Sequence, residues 1–284
     1  MIPFQLHAPS TLDEAFDLLE RYGEDARPIS GGTALILLME QRLVRPEHVI
    51  ALRGISDLRR LDAANGALHI GAGVPHRSVE TSAVARASWP LLTNAYSRVA
   101  TVRIRNVATV GGGLAHADPN QDPPAALIAL NARVAITSRK GQREVAAEDL
   151  FQGYYETVLQ PGELITEVIV PRPERPPKTA YIKFLPRTAD DYPTVAVAVA
   201  LDMVDGRCND ARIALNAAGP TPIRAKPAED VLRGQTPTPE LLRAAAATVP
   251  GLTDPTSDHR GSANYKRRMT EVFTRRALEQ ALAL

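Results

Sequence analysis

The spacing of apolar side chains predicts a helix near the start of the chain. Ser10 to Glu14 has the hydroxyl-then-acid arrangement of a helix N-terminus, and apolar residues then recur every three or four positions as far as Gly23. We therefore expect a helix over 11–22. The same reasoning predicts a strand that ends at 29, a helix over 34–42, and short buried strands over 49–52 and 68–71.

The middle of the chain alternates between helical and strand patterns. Residues 81–102 have helical spacing that is interrupted by Trp89-Pro90, and apolar runs predict strands over 134–137 and 164–170. Asp122 is placed as an N-cap before Pro123, which opens a short apolar helix. A second α/β lobe is the expected result.

The last third of the chain has a different pattern. Residues 171–178 contain four prolines and are the best candidate for a linker. Beyond them, an alternating β-branched stretch over 194–203, a turn at Asp205-Gly206 and a second strand over 211–217 predict a hairpin. Helices are expected over 241–249 and 263–284. The coarse layout is an α/β region up to about 175 and an α+β region after it.

Composition narrows the possible functions. Apolar residues make up 44% of the 284 residues and charged ones 23%, as in an ordinary folded protein. The 33 Lys and Arg balance 32 Asp and Glu to a net charge of +1, which argues against nucleic acid as a partner. No secretory signal pattern and no run of about 18 to 20 apolar residues is seen, so we expect no membrane span and a cytoplasmic location.

Few side chains suggest metal or thiol chemistry. Cys208 is the sole cysteine, which excludes an internal disulfide and an iron–sulfur cluster held by this chain alone. His116 and Asp118 are two residues apart, but no third ligand is near them in sequence, and no metal site is predicted. Any redox cofactor is therefore expected to be organic.

Two glycine runs carry the most chemical information. Gly31-Gly32 and Gly111 to Gly113 each follow a short apolar segment, and each has a threonine beside it. Without Cβ atoms, such turns bring several backbone N–H groups into one concavity that can bind pyrophosphate oxygens. Neither run is a P-loop or has the spacing of a dinucleotide-binding fingerprint. An ordinary tight turn is the alternative for either run taken alone.

The residues around these runs form a longer pattern. The chain contains PISGGTAL at 28–35 and IRNVATVGGGLAHADP at 104–119, followed by Asp122. Further short segments follow in order at 161–165, 181–184, Arg187, 191–192, Asp258 and 262–267. In order and spacing they resemble the FAD-binding medium subunit of molybdenum hydroxylases, the aerobic carbon monoxide dehydrogenase and xanthine dehydrogenase family. The resemblance extends over nearly the whole chain.

The resemblance implies that the cofactor is FAD and that two loops hold its pyrophosphate. The residues so implied are Ile29, Ser30, Gly31, Gly32, Thr33 and Ala34 from the first loop and Thr109, Gly111, Gly112 and Gly113 from the second.

Further contacts to FAD are implied outside these loops. Asp122 would contact the cofactor, with a plain helix cap as its alternative role. Leu164 or Ile165 would pack near the flavin or adenine, although each also fits an ordinary core position. Lys183 would lie beside the flavin ring, where a cation favours the reduced anionic flavin, or else be a solvated strand lysine. Tyr192 would lie near the ring face, or else pack within a hairpin.

The resemblance also implies a fold and partners. The fold class would be α+β, with an FAD-binding domain of two α/β subdomains over 1–175. A C-terminal domain over 176–284 would follow, with a three-stranded antiparallel sheet and helices. A molybdopterin-binding large subunit would hydroxylate the substrate, and a small subunit with two 2Fe–2S clusters would relay electrons. This oxidoreductase subunit, without catalytic residues of its own, would pass them through FAD to NAD, a quinone or oxygen.

Two other functions stay open. One is a self-contained FAD-dependent oxidase or reductase, which would need a substrate pocket of its own. The other is a non-catalytic assembly subunit with weak FAD binding. Gly113 stands where the family commonly has asparagine, and Ala34 where it often has an acidic or polar residue. Because the backbone donors remain, these departures are expected to affect the strength of FAD binding more than its existence.

Overall fold

The structure is a computed structural model that describes residues 2–186, 188 and 191–283, so that Arg187 lies outside the described residues. The helices of this part of the chain are α1 (Leu12–Tyr22), α2 (Leu35–Glu40), α3 (His76–Thr81), α4 (Ala83–Ser88), α5 (Pro90–Ser97), α6 (Val102–Arg105), α7 (Val110–His116), α8 (Pro123–Ala129), α9 (Lys226–Leu232), α10 (Pro239–Ala247) and α11 (Ala263–Leu282). The strands are β1 (Gln5–His7), β2 (Ala26–Ile29), β3 (His48–Ala51), β4 (Leu61–Ala64), β5 (Ala67–Gly71), β6 (Arg133–Ser138), β7 (Gly141–Ala146), β8 (Phe151–Gly153), β9 (Glu156–Thr157), β10 (Leu164–Pro171), β11 (Lys178–Phe184), β12 (Val195–Val204), β13 (Arg207–Asn216) and β14 (Ile223–Arg224).

The first lobe is a parallel sheet with strand order β1-β3-β2, and α1 packs against it. The helix begins as predicted, because the Thr11 hydroxyl accepts a hydrogen bond from the Glu14 amide at 3.2 Å. Its apolar stripe buries Ala15, Phe16 and Leu19. The short strand β2 leads directly into the first glycine run.

The second lobe is an antiparallel sheet with strand order β4-β5-β10-β6-β7. The register of the central strand β10 shifts between Ile165 and Glu167. At this irregularity the Thr166 carbonyl accepts a hydrogen bond from the amide of Ala72 at 2.9 Å. Ala72 in turn accepts from the amide of Gly111 at 2.8 Å, so the sheet fixes the position of the second glycine run.

The C-terminal sheet is antiparallel with strand order β11-β12-β13-β14. It has the three expected long strands and adds a two-residue edge strand, β14. Along β12 the alanines at 196, 198 and 200 face the core shared with the two N-terminal lobes, and the valines at 195, 197 and 199 face a second core. Small side chains on the first face let the fully buried helix α8 pack closely on this sheet.

Some elements differ from the sequence prediction. The helical pattern over 81–102 is interrupted at Trp89 as expected, between α4 and α5, but α5 already ends at Ser97. The second glycine run lies inside helix α7 and is not a turn. Helix α11 ends at Leu282, and position 284 lies outside the described residues. Among the helices that the structure describes, none is both long and apolar enough to cross a bilayer.

We predict that Arg105 stabilises the segment before α7. This side chain is 7% exposed, donates to Glu80 at 2.8 Å, and donates to the carbonyls of Val99 and Ala100 at 2.7 and 2.8 Å. Arg105→Met should lower the free energy of unfolding by about 3 kcal/mol, because it leaves two carbonyls without their donor and the partly buried Glu80 carboxylate with Arg77 as its remaining partner. Urea denaturation measures this. The exposed neighbour gives the control: Arg103→Met should change stability by less than about 0.5 kcal/mol, and equal losses in both variants would contradict the prediction.

Candidate functional site

The first glycine run forms a loop between β2 and α2. Gly32 has a φ of +71°, a conformation that favours glycine. A Cβ atom at Gly31 would overlap the carbonyl oxygen of Val107, which lies just before α7. The missing side chain therefore allows the first loop to contact the segment that leads into the second glycine run.

The amides of this loop are available to a ligand. Within the described part of the chain, the N–H groups of Gly31, Gly32, Thr33 and Ala34 donate to no protein acceptor. All four residues are partly exposed. A series of open backbone donors around a glycine turn fits a phosphate or diphosphate group. We call residues 30–34 the amide loop.

The second glycine run has a different role, because its amides already have protein acceptors. Val110 donates to Val74 at 3.0 Å and Gly111 to Ala72 at 2.8 Å. Gly112 and Gly113 donate to the hydroxyl and carbonyl oxygens of Thr109 at 3.3 and 2.9 Å. The glycines of α7 therefore provide a surface without side chains, and not a second set of open donors.

The two runs nevertheless lie together. A Cβ atom at Gly112 would come within 3.9 Å of the Ser30 Cβ, so the first turn of α7 faces the amide loop. A Cβ atom at Gly113 would lie 3.2 Å from Gln121 Oε1 and 3.5 Å from His76 Nε2. The structure thus groups Ser30 and Gly31 with the start of α7 and the residues just before it.

His76 forms a hydrogen bond to the residue that caps the start of α7. Its Nε2 lies 3.1 Å from the Thr109 carbonyl oxygen, so this nitrogen carries the proton and donates to it. Burial lowers the pKa of His76 to about 4. The imidazole is therefore neutral at physiological pH.

Asp122 is the centre of a buried polar network at the start of α8. Its carboxylate accepts from the Tyr181 hydroxyl at 2.9 Å and from Lys183 Nζ at 2.9 Å. Its backbone carbonyl accepts from the Asn216 side chain at 2.9 Å and from Tyr181 at 3.1 Å. Contrary to the expected cap geometry, the carboxylate makes no hydrogen bond to the amides of α8. It bonds to donors from the C-terminal sheet.

The ion pair between Asp122 and Lys183 is largely withdrawn from water. The two side chains are 4% and 5% exposed, so Lys183 is not a solvated strand lysine. Burial raises the pKa of Asp122 to about 6, although Lys183 and Tyr181 act in the opposite direction. Lys183 also donates to the carbonyl of Arg98 at 2.8 Å.

Tyr192 lies in the connection between β11 and β12, and its carboxylate neighbour is Asp118, not Asp122. It is 41% exposed, and the guanidinium of Arg260 lies 5.6 Å from its ring centroid. Burial and the nearby carboxylate of Asp118 raise the pKa of Tyr192. Asp118 also accepts from the Tyr155 hydroxyl at 3.5 Å, so two tyrosines gather at one carboxylate.

Leu164 and Ile165 are each 5% exposed and belong to the core shared by the three sheets. They begin β10, against which α7 packs. This placement agrees with their alternative role as core residues, and their contact with a cofactor stays a prediction.

Four residues of this region were not singled out as site residues by the sequence: His76, Gln121, Tyr181 and Asn216. Tyr181 had a usable signal, because it lies two residues before Lys183 on the same strand and such residues point to the same face. The other three gave none, because their contacts join positions that are far apart in sequence or lie across a helix turn.

Comparison with known proteins gives the class of this chain. Residues 2–173 match the family described as the FAD binding domain in molybdopterin dehydrogenase. Residues 180–281 match the family described as the CO dehydrogenase flavoprotein C-terminal domain.

Individual proteins match along the whole length. The chain is 39% identical to the carbon monoxide dehydrogenase medium chain of Afipia carboxidovorans, over 100% of this chain and 99% of the relative. The solved carbon monoxide dehydrogenase of Hydrogenophaga pseudoflava matches with a TM-score of 0.96 at 36% identity, covering 100% and 99% of the two chains. Quinoline 2-oxidoreductase of Pseudomonas putida 86 matches with a TM-score of 0.93 at 33% identity, covering 99% and 98%.

The chain therefore belongs to the family of FAD-binding flavoproteins of molybdopterin dehydrogenases. It is an oxidoreductase subunit, and its cofactor is FAD. The family, the α+β fold class and the cofactor inferred from the sequence are thereby confirmed. The open amides of the amide loop and the side-chain-free surface of α7 fit this cofactor, whose diphosphate needs donors and close backbone approach.

We predict that Gly31→Ala weakens FAD binding about a hundredfold, because the new Cβ would displace the amide loop from Val107. Titration of the chain with FAD, followed by flavin fluorescence, measures the affinity. Gly251→Ala is the matched control, since a Cβ atom there meets nothing within 4 Å. Unchanged affinity in Gly31→Ala would contradict the assigned role of the loop.

We also predict a pH dependence of stability from His76. Its folded pKa of about 4 lies below its ordinary value of 6.5, so the unfolded chain binds a proton that the folded chain does not. Stability should fall as the pH drops from 6.5 to 4, by up to about 3 kcal/mol from this group. His76→Gln should flatten that part of the stability profile in urea titrations at several pH values. The exposed His259 provides the control, and His259→Gln should keep the wild-type slope.

Proposed function

We propose that this chain is the electron-transfer flavoprotein of a molybdopterin and iron–sulfur hydroxylase complex. It would receive electrons from a 2Fe–2S partner and deliver them to an external acceptor such as NAD, a quinone or oxygen. A large molybdopterin-binding subunit would oxidise the substrate. The observation that carries the proposal is the full-length match, through both domains, to the medium chain of a carbon monoxide dehydrogenase.

The candidate residues would make three kinds of contact with FAD. The amide loop, including Ser30 and Thr33, would donate to the diphosphate. Thr109 and the glycines of α7 would let the cofactor approach the backbone closely. Ile29, Ala34, Leu164 and Ile165 would form apolar walls. We propose these contacts on the strength of the open amides and the adjacency of the two glycine runs.

The polar residues near the domain junction would orient the redox-active part of the site. FAD, when bound, supplies the redox chemistry. Asp122 holds Lys183 in place, and Lys183 presents its ammonium group there. Tyr192, held near Asp118 and Arg260, would cover one side of the site. The chain's own task is orientation and electrostatic tuning of the cofactor.

The domain division at about residue 175 also remains a proposal. The extended connection between β10 and β11 supports it, because residues 172–177 form no helix or strand. A cytoplasmic location stays a prediction from the sequence.

The function can be tested by following flavin absorption under anaerobic conditions. We expect the isolated chain to bind FAD and to keep it oxidised when only the organic substrate of the complex is added. Bleaching of the flavin bands should occur when the molybdenum and iron–sulfur subunits are both present, and should disappear when the iron–sulfur subunit is omitted.

The same measurement separates the alternatives. Reduction of the isolated chain by substrate would favour a self-contained oxidase or reductase. Failure to retain FAD at saturating concentration would favour an assembly subunit.

A further inference from the structure

The side chain of Gln121 occupies the space beside Gly113 on the surface of α7. A Cβ atom at Gly113 would lie 3.2 Å from Gln121 Oε1, closer than most side-chain contacts allow. The carboxamide therefore fills the volume into which any longer side chain at position 113 would extend. The two residues are eight positions apart and meet because the chain turns back after α7.

The amide of Gln121 lacks part of its hydrogen bonding. Its Nε2 is buried, and among the described residues it has no hydrogen-bond partner. A buried NH₂ group without an acceptor lowers the stability of the fold by about 1 to 3 kcal/mol. Such a group in a folded protein therefore points to a role other than stability. The oxygen and nitrogen of a carboxamide differ only by a rotation of its last torsion angle. A turned amide would place the NH₂ group beside Gly113.

Gln121 is held firmly at this position. Its backbone amide donates to the Asp118 carbonyl at 3.3 Å. The next residue, Asp122, is bonded to Tyr181, Lys183 and Asn216. A donor on such a fixed segment loses little conformational freedom when it binds a ligand.

We propose that Gln121 is an FAD-binding residue, whose NH₂ group donates to an oxygen of the cofactor's diphosphate next to Gly113. The proposal rests on FAD binding by the site described above and adds a residue that none of the sequence patterns identifies. The α7 amides are already paired, so this side chain supplies a donor that the glycine helix itself does not. Gly113 is required because a side chain there would displace the carboxamide.

Affinity for FAD and thermal stability of the FAD-free chain together test this role. Gln121→Ala should raise the FAD dissociation constant about tenfold, as expected for a lost hydrogen bond to a charged group. It should not lower the Tm of the FAD-free chain, because the NH₂ group has no protein partner to lose among the described residues. Gln142→Ala, an exposed glutamine on β7, is the matched control and should change neither quantity.

Charge and space give two sharper readouts. Gln121→Glu should weaken binding more than Gln121→Ala does, because a carboxylate repels the diphosphate. Gly113→Asn should weaken binding in the wild-type background, where it crowds Gln121. In the Gln121→Ala background, the same substitution should strengthen binding by filling the vacated space with a new amide.

The outcomes separate this proposal from the proposed function. If the wild-type chain binds FAD and Gln121→Ala binds it equally well, Gln121 is not a ligand and the proposal fails. A fall in the Tm of FAD-free Gln121→Ala beyond that of Gln142→Ala would make Gln121 a packing residue and also overturn it. Tight binding by Gln121→Glu would exclude donation to the diphosphate. If wild-type chain binds no FAD, the proposed function and this inference fail together.

Discussion

The buried carboxylate of Asp122 is the contact on which the arrangement of the site depends. Removing a carboxylate from water costs several kcal/mol unless cationic and hydrogen-bonding partners replace the solvent. Here the partners are Lys183 and Tyr181 from β11, while Asn216 at the end of β13 bonds the backbone carbonyl of the same residue. Asp122 begins α8, on the other side of the junction. Neither side can satisfy this network alone, so the start of α8 and Lys183 keep a fixed relation to each other.

Backbone hydrogen bonds from distant parts of the chain also fix the segment that joins α7 to α8. Ala217 donates its amide to the Pro119 carbonyl at 3.0 Å, and Tyr155 donates its amide to Ala117 at 3.2 Å. Ala117 itself ends α7 in a left-handed conformation, with a φ of 53°. The glycine helix is thus anchored at its end by distant parts of the chain and at its start by β10 and Ala72. The amides at the start of α7 are paired with Val74, Ala72 and Thr109, whereas those of the amide loop have no acceptor among the described residues.

The sequence predicted elements whose signals are local. The helix capped by Thr11 and the hairpin of β12 and β13 follow from capping and alternation alone. It did not predict α7 as a helix, because glycine disfavours helices and long-range packing overcomes that preference here. It singled out Asp122 for an implied contact with FAD, with a helix cap as the alternative. The cap is not formed, and the donors that bind the carboxylate instead lie about sixty residues later in the chain. It found the glycine runs but not Gln121, whose side chain meets Gly113 only because the chain turns back after α7.

Lys183 illustrates how such long-range pairing limits what a site residue can contribute. An isolated lysine would add a full positive charge, but above the raised pKa of Asp122 the pair is nearly neutral. Its electrostatic effect on a neighbouring group is therefore smaller than that of a free cation. An ammonium group has three N–H donors. Two are used, by Asp122 and by the carbonyl of Arg98, and the third has no acceptor among the described residues. In the proposed site, FAD would therefore gain one hydrogen bond from Lys183 and little of the effect of a full positive charge.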